Sequence, residues 1–251
     1  MSEHVQVERQ GAVQIIRLNR PEKKNALTRA MYATMTKALV GGDSDADIRA
    51  NVFFGTPGAF SSGNDLQDFM EFALTGQMGN EVFDFLLALA HSTKPILAGV
   101  DGLAIGIGST IHFHCDLTFA TPQSLFKTPF VDLGLVPEAA SSLLGPALMG
   151  QQRAFAFLAN GDSLSAGEAK DAGLIYKIVE ASELETTVLS AAANIASKPP
   201  EAMRITRDLL RMPREPVVDR MQLEAKHFSD RLQSEEARNA MVAFFTRKKP
   251  E

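Results

Sequence analysis

Short apolar segments alternate with segments of helical periodicity along most of this chain, and that alternation most constrains its fold. Buried strands are predicted at 51–54, 96–100, 117–120 and 174–179. Helices are predicted at 29–40, 65–72, 80–91 and 106–114, with several more within 139–172. Strands that alternate with helices in this way are typical of an α/β fold.

The two ends of the chain differ from this middle part. Val5–Glu8 and Val13–Leu18 flank Gly11 and predict a hairpin. From about Ala181 onward the pattern becomes helical throughout, and prolines stand between the helical segments. We therefore predict a core domain of residues 1–195, followed by a helical segment of residues 196–251 that forms a separate layer.

Composition favours a small-molecule partner. The chain has 251 residues, a net charge of −5 and no long basic run, so we expect no nucleic-acid or anionic-membrane surface. Its single cysteine, Cys115, cannot form an internal disulfide, which is consistent with a reducing compartment. The polar start lacks a signal-peptide core, and the last four residues, Lys248–Glu251, lack a peroxisomal address. We therefore expect a cytoplasmic location.

Two glycine-bearing turns follow predicted strands, at Phe60–Leu66 and Asp101–Gly108. Backbone N–H groups at the start of a helix have no partner within it, so such turns can bind an anionic oxygen. Spacing alone fits two ordinary turns equally well. A lone acid, Glu138, follows in the sequence; two fixed donors and one base are what a thioester enolate needs. Taken alone, Glu138 is better explained as a first-turn helix glutamate.

Two apparent cofactor signals are weak. The segment His112–Asp116 has the content of a metal site, but residues two apart on a helix point about 200° apart. Gly106-Ile107-Gly108 lacks the third glycine and the βαβ context of a dinucleotide-binding fingerprint. We therefore expect neither a metal nor a nicotinamide cofactor.

Taken in order, several segments resemble the crotonase family, also called the enoyl-CoA hydratase/isomerase superfamily. The matching segments are Leu18–Pro21, Asn25–Leu27, Phe60–Leu66, Lys94–Gly108, Cys115–Asp116, Leu164–Ala169, Gly173–Leu174 and Phe244–Phe245. The resemblance covers nearly the whole chain. It implies an α/β fold with a crotonase-like ββα spiral core and a C-terminal helical trimerisation segment.

The resemblance also implies roles for individual residues. It assigns the oxyanion-binding amides to Asn64 and Ile107. The two glutamates with which the family's hydratases handle water correspond here to Thr110 and Phe130, and neither can act as a base near neutral pH. Glu138, eight positions beyond Phe130, matches the single catalytic glutamate of peroxisomal-type Δ3,Δ2-enoyl-CoA isomerases.

The reaction implied by that likeness moves a double bond of an acyl-CoA thioester, with Glu138 carrying a proton from C2 to C4. No cofactor is implied, because coenzyme A enters as part of the substrate. Substrate-binding positions implied by the resemblance are Lys24, Ala26, Leu27, Ser61, Ser62, Gly63, Asp65, Leu66, Gly106 and Phe130.

Further expectations concern coenzyme A and assembly. A positive cluster of Arg20, Lys23 and Lys24 is expected near the coenzyme A phosphates. Arg247–Lys249 is expected to reach a phosphate in a neighbouring subunit, since family members form homotrimers or dimers of trimers. The predicted helix at 80–91 and the stretch 69–79 are expected to shape the acyl end.

Two alternatives remain at this point. One is an enoyl-CoA hydratase or a dienoyl-CoA isomerase, in which another acid such as Asp132 joins Glu138. The other is a non-catalytic acyl-CoA-binding or assembly subunit, favoured if Glu138 faces solvent.

Overall fold

The computed structural model describes residues 2–65, 67–68, 79–211 and 213–246, with side chains described as far as Phe244. The strands are β1 (Val5–Gln10), β2 (Val13–Leu18), β3 (Ala50–Phe54), β4 (Ala59–Ser61), β5 (Ile96–Val100), β6 (Leu103–Ile105), β7 (Leu117–Ala120), β8 (Leu125–Lys127), β9 (Ser163–Ser165) and β10 (Lys177–Ile178). The helices are α1 (Arg29–Ser44), α2 (Glu81–His91), α3 (Ile107–Thr110), α4 (Ser141–Met149), α5 (Gln151–Leu158), α6 (Ala166–Asp171), α7 (Leu184–Ala196), α8 (Pro200–Leu210), α9 (Arg214–Leu232) and α10 (Glu235–Thr246).

The larger sheet has six strands in the order β1-β2-β3-β5-β7-β10. The predicted hairpin is confirmed, since β1 and β2 pair antiparallel with Val5 opposite Leu18. The remaining pairs are parallel. Strands β3 and β5 are buried along their whole length, which explains why they read as apolar runs rather than as alternating patterns.

Successive residues of this sheet pack into different clusters. Phe53 and Ala98 join the cluster that includes Tyr32 of α1 and Phe85 of α2, where the Phe53 and Phe85 rings lie 6.3 Å apart. Val52 and its neighbours instead meet α7 on the other face. Because strand side chains alternate between faces, the sheet is covered on both sides, and each fully buried Phe or Leu contributes roughly 1.5–3 kcal/mol.

A smaller sheet, which the sequence did not reveal, holds four strands in the order β4-β6-β8-β9. Strands β4, β6 and β8 run parallel, with Ala59 opposite Leu103 and Leu103 opposite Leu125. The carboxyl ends of parallel strands meet at one edge, so three connecting segments begin side by side there. These segments are 62–65, 106–107 and 128–130.

The last two helices return to the core. Met221 and Phe228 of α9 and Met241 of α10 belong to the same buried cluster as the residues of α1 and α2. The C-terminal segment is helical as predicted, but α9 and α10 pack into the core rather than forming a separate layer. The predicted domain boundary at 195/196 stays a prediction.

Several predicted boundaries are wrong. The strand predicted at 174–179 is paired only at Lys177–Ile178, and the predicted helix at 106–114 consists of α3 followed by a 3-10 turn at Ile111–His114. Strand β9 lies inside the region predicted to be helical. The predicted helix at 65–72 lies mostly outside the described residues. Within the described ranges, no helix is long and apolar enough to cross a bilayer.

Candidate active site

The two glycine turns lie against each other at the edge of the smaller sheet. Parallel pairing of Ser61 with Ala104 brings them together. Gly63 and Gly106 have φ values of +92° and +57°, a region that residues with a Cβ rarely adopt. A Cβ on Gly63 would lie only 3.0 Å from the carbonyl oxygen of Ile105, next to Gly106. The glycines therefore allow both the turns and their close approach.

Each turn offers a backbone donor. The strand-like bonds Leu27 N–H to Gly63 O (2.8 Å) and Asp65 N–H to Leu27 O (2.9 Å) hold the chain on both sides of Asn64. Ile107 opens α3, so its N–H has no acceptor within that helix. Within the described part of the chain, the N–H groups of Asn64 and Ile107 have no hydrogen-bond acceptor. Two such donors side by side can bind an oxyanion.

A buried side-chain network holds the first turn. Asn25 is fully buried, and its Nδ2 donates to Ala59 O (2.8 Å) while its Oδ1 accepts from Arg20 N–H (2.7 Å). Ser61 Oγ donates to Asn25 O (2.8 Å), and Ser62 N–H donates to Lys24 O (2.9 Å). The segment 24–27 is therefore hydrogen-bonded along the first glycine turn, and the Ser61 hydroxyl joins the two by its bond to Asn25 O.

Tyr32 was missed at the sequence level because its position on α1 fits a core residue. Its hydroxyl donates to Asn64 Oδ1, and its ring packs 5.5 Å from that of Phe85. Burial raises the pKa of Tyr32 well above its usual value, and the nearby charge of Glu138 adds to this. Tyr32 therefore remains a neutral hydrogen-bond donor to the side chain of Asn64.

Glu138 is the acid of the site. Only 7% of it is exposed, its Oε1 accepts from Thr110 Oγ1 (2.5 Å), and its Oε2 has no partner among the described residues. Burial raises the pKa of Glu138 to about 8; the Thr110 hydrogen bond opposes this shift and the charge of Glu224 adds to it. One carboxylate oxygen is thus fixed, and the other is left for proton transfer.

The two cavities beside these groups share walls. The larger cavity, of about 780 Å³, is lined by Lys23, Ala26, Ser62, Gly63, Asn64, Asp65, Gln67, Ile105, Gly106, Ile107, Pro129, Phe130, Leu133, Leu135, Phe228 and Phe244. The smaller cavity, of about 60 Å³, is lined by Asn64, Gly79, Val82, Phe83, Leu86, Glu138, Ala139, Met221, Ala225 and Phe228. The larger one has the size of a small-molecule site. Asn64 and Phe228 border both, so the cavity that Glu138 lines adjoins the one that Asn64 and Ile107 line.

The structure brings most of the predicted site residues together. Ala26, Ser62, Gly63, Asn64, Asp65, Gly106, Ile107 and Phe130 line the larger cavity. Lys24, Leu27 and Ser61 do not line this cavity, and Lys23 rather than Lys24 borders it in the described residues. Leu66 and Arg247–Lys249 lie outside the described residues. Helix α2 lines the smaller cavity through Val82, Phe83 and Leu86.

Among the described residues, two charged side chains line the larger cavity, Lys23 and Asp65, and Asp65 is ion-paired. Arg20, expected among the phosphate-binding cations, donates instead to Asp65 (Nη1 to Oδ2, 2.5 Å) and fixes that carboxylate. Asp132, the alternative second acid, is exposed beside Gly161 and borders neither cavity. Among described residues, Glu138 and Asp65 are the acids that line the two cavities, and Asp65 is ion-paired. The described part of these walls therefore holds no second free carboxyl group.

The histidines near Thr110 do not form a metal site. His112 Nδ1 lies 3.2 Å from Thr118 Oγ1, and His114 Nε2 lies 2.7 Å from Ala139 O. Burial lowers the pKa of His112 to about 3 and that of His114 to about 4. No group of three or more potential metal ligands occurs within the described ranges. Both rings are therefore neutral core residues.

Comparison with known proteins places this geometry in context. The family model for enoyl-CoA hydratase/isomerase matches residues 8–251. Enoyl-CoA delta isomerase 2 of Rattus norvegicus is 36% identical over 98% of this chain, which spans 64% of that enzyme. A short-chain-enoyl-CoA hydratase of Clostridium acetobutylicum is 29% identical over 99% of this chain and 97% of its own length.

The fold also matches solved structures of similar sequence. The crystal structure of an enoyl-CoA hydratase/isomerase from Pseudoalteromonas atlantica has a TM-score of 0.93 and 36% identity, with 99% of each chain covered. The expected crotonase-type α/β fold with a C-terminal helical segment is thereby confirmed. With two unpaired amides, one buried carboxyl group and this match across nearly its whole length, the chain belongs to the enoyl-CoA hydratase/isomerase family.

Proposed function

We propose that this protein is a Δ3,Δ2-enoyl-CoA isomerase with Glu138 as its single acid–base group. The observation that carries the proposal is the free Oε2 of a buried glutamate in a cavity that adjoins the one lined by two unpartnered amides. The described walls hold no second free carboxyl group. Hydration requires a group that activates water, whereas a double-bond shift requires one group that accepts and returns a proton. The site supports the second reaction better.

In the proposed mechanism, Glu138 Oε2 removes a proton from C2 of a 3-enoyl-CoA. The electrons of the broken C–H bond form a C1=C2 bond, and the thioester carbonyl becomes an oxyanion held by the N–H groups of Asn64 and Ile107. The dienolate then collapses: the oxyanion pair re-forms the carbonyl, the C1=C2 pair becomes a double bond between C2 and C3, and the C3=C4 pair binds the proton that Glu138 returns to C4. Atoms and charge balance, and the product is the 2-trans-enoyl-CoA.

Apolar neighbours support proton return to carbon rather than exchange with water. Phe130, Leu135 and Phe228 line the larger cavity, and Phe228 also borders the smaller one. Water excluded from the site cannot take the proton or add to the double bond. Val131, the sequence neighbour of Phe130, is 54% exposed and contributes none of this lining.

The proposal also covers the cofactor, the binding of the coenzyme A phosphates, the assembly and the location. The thioester substrate brings its own coenzyme A, so no cofactor is needed. Among the described residues, Lys23 is the cation that borders the larger cavity, and we assign it to the phosphates. A homotrimer or dimer of trimers in the cytoplasm is the proposed assembly and location.

The decisive assay offers the purified protein a 3-enoyl-CoA and, separately, a 2-trans-enoyl-CoA. We expect the absorbance of the conjugated thioester to rise with the first at unchanged mass, and no gain of water with the second. Hydration of the second substrate would contradict the proposal in favour of a hydratase. Binding of both without turnover would contradict it in favour of a non-catalytic acyl-CoA-binding subunit.

A further inference from the structure

We propose that Glu224, on the C-terminal helix α9, is a positioning residue that holds the turn carrying Glu138 and sets the working position of that base. The inference rests on the proposed function, because it assigns Glu138 the role of the base. Glu224 lies 86 residues beyond Glu138 in the sequence and borders neither cavity in the described residues. It therefore acts through Glu138 rather than on substrate.

The turn after Glu138 has an unusual backbone. Ala139 and Ala140 have φ values of +59° and +55°, a left-handed conformation that alanine rarely adopts because its Cβ crowds the neighbouring carbonyl. Two consecutive residues of this kind persist only where surrounding contacts hold them. Helix α4 begins directly afterwards, at Ser141. The turn is thus a strained link between Glu138 and α4.

The start of α4 lacks a local cap. Its N-cap residue, Ala140, has no side chain that can accept a hydrogen bond, although Ser, Thr, Asp or Asn usually does so at that position. Glu224 supplies the acceptor from another helix. Its Oε2 accepts from Ala140 N–H (2.6 Å), and its Oε1 accepts from Ser142 N–H (3.0 Å) and Ser142 Oγ (2.6 Å).

These contacts fix the base as well as the helix. Ser141 N–H (3.0 Å) and Ser141 Oγ (2.6 Å) both donate to the backbone carbonyl of Glu138. Ser141 lies between the two residues that donate to Glu224. Without the Glu224 carboxylate, the turn that holds the Glu138 backbone would lose its support. The hydrogen bond from Thr110 would then be the remaining restraint on the Glu138 side chain.

Charge provides a second connection between the two acids. The charge of Glu224 raises the pKa of Glu138, although burial is the larger cause. The other groups that face this corner are the neutral hydroxyls of Thr110 and Tyr32, the neutral ring of His114, and Arg220, whose Nη1 donates to Ser142 Oγ (3.0 Å). Removing the Glu224 charge should therefore lower the pKa of Glu138.

The test compares Glu224→Gln with Asp219→Asn, an acid-to-amide change at an exposed position of the same helix. We expect Glu224→Gln to lower kcat by about 10²-fold, the size of effect that misplacement of a reacting group produces. The dissociation constant of a saturated acyl-CoA should stay within about twofold, because the donors and the larger cavity are unchanged. Asp219→Asn should match the wild type in both.

A direct titration separates positioning from mere stabilisation. The carboxyl carbon of Glu138 is followed by NMR in protein labelled with ¹³C-glutamate, and is identified as the signal missing from Glu138→Gln. Its pKa should fall in Glu224→Gln and stay unchanged in Asp219→Asn. An unchanged kcat, or an unchanged pKa of Glu138 in folded Glu224→Gln, would overturn the inference.

If Glu224→Gln does not fold, Ser142→Ala provides the test. It removes the hydrogen bond from Ser142 Oγ to Glu224, together with the one that Ser142 Oγ accepts from Arg220, and keeps the carboxylate. We therefore expect kcat to fall by roughly threefold to tenfold; an unchanged kcat would overturn the inference. A wild-type protein without isomerase activity would contradict the proposed function alone. The titration would still decide whether Glu224 governs Glu138.

Discussion

The two halves of the site are built in different ways. On the oxyanion side, backbone groups act, and neighbouring backbone places them: parallel strands β4 and β6 end side by side, and glycines allow their turns to touch. On the base side, a side chain acts, and side chains from distant elements hold it in place. Thr110 holds the carboxyl group of Glu138, and Glu224 of α9 holds the turn behind it.

This contrast predicts which substitutions should lower the activity through each half of the site. Side-chain changes at Asn64 or Ile107 should matter less than changes that move their backbone, since the N–H groups act. In the base half, the loss of one side chain removes either the reacting group or its support. Substitutions therefore test the two halves separately.

The largest effect is expected from Glu138→Ala. It removes the group that carries the proton, so kcat should fall by about 10³-fold or more, with little change in acyl-CoA binding. Turnover of 3-enoyl-CoA and the dissociation constant of a saturated acyl-CoA would measure this. Asp132→Ala is the control, because Asp132 is exposed beyond both cavities. Substantial activity in Glu138→Ala would refute its role, and a comparable loss in Asp132→Ala would revive the two-acid alternative.

Gly106→Ala tests the oxyanion half. Gly106 has φ +57° and ψ −123°, a conformation that alanine rarely adopts because of its Cβ. In Gly106→Ala the turn should therefore shift and misplace the Ile107 N–H. Loss of one oxyanion donor typically lowers kcat by about 10²–10³-fold. The matched control is Gly11→Ala, which changes a glycine of similar φ (+60°) in the distant β1–β2 turn. Equal kcat in the two variants would mean that the turn does not place a donor.

A smaller effect is expected from Tyr32→Phe, which asks whether side chains also support the oxyanion half. The change removes the donor to Asn64 Oδ1 but keeps the ring against Phe85. We expect kcat to fall roughly threefold to tenfold. Tyr176→Phe, at a tyrosine that is 60% exposed, is the control. No difference between the variants would show that the backbone alone holds the first turn.

Sequence reasoning succeeded where a signal is local. The buried strands at 96–100 and 117–120 have the predicted bounds because apolar runs of that length are distinctive. The resemblance to a known family selected Asn64, Ile107 and Glu138, and the structure brings these three around adjoining cavities. The chemical roles of these residues stay predictions until the variants are measured.

The features that were missed have no local signal. Strands β4, β6, β8 and β9 are three residues long, too short for periodicity to separate them from turns. Glu224 stands between Met221 and Phe228 on the buried face of α9. Its partner Ala140 lies 84 residues away, so the helix pattern does not reveal their contact. Tyr32 fits the apolar face of α1, and only the fold reveals its bond to Asn64. Sequence patterns do not show contacts between elements that are far apart in the chain.

The pH dependence of kcat/KM tests most directly whether one buried carboxyl group carries the reaction. The base must be ionised to accept a proton, and the pKa of Glu138 is raised to about 8, so the rate should rise as pH increases through that value. From pH 7 to pH 9 the ionised fraction of a group with this pKa grows about tenfold, and kcat/KM should follow it. His112 and His114, with pKa values of about 3 and about 4, do not titrate in this range. A profile that is flat from pH 6 upward would contradict the account, because it would place the proton on a group other than the buried Glu138.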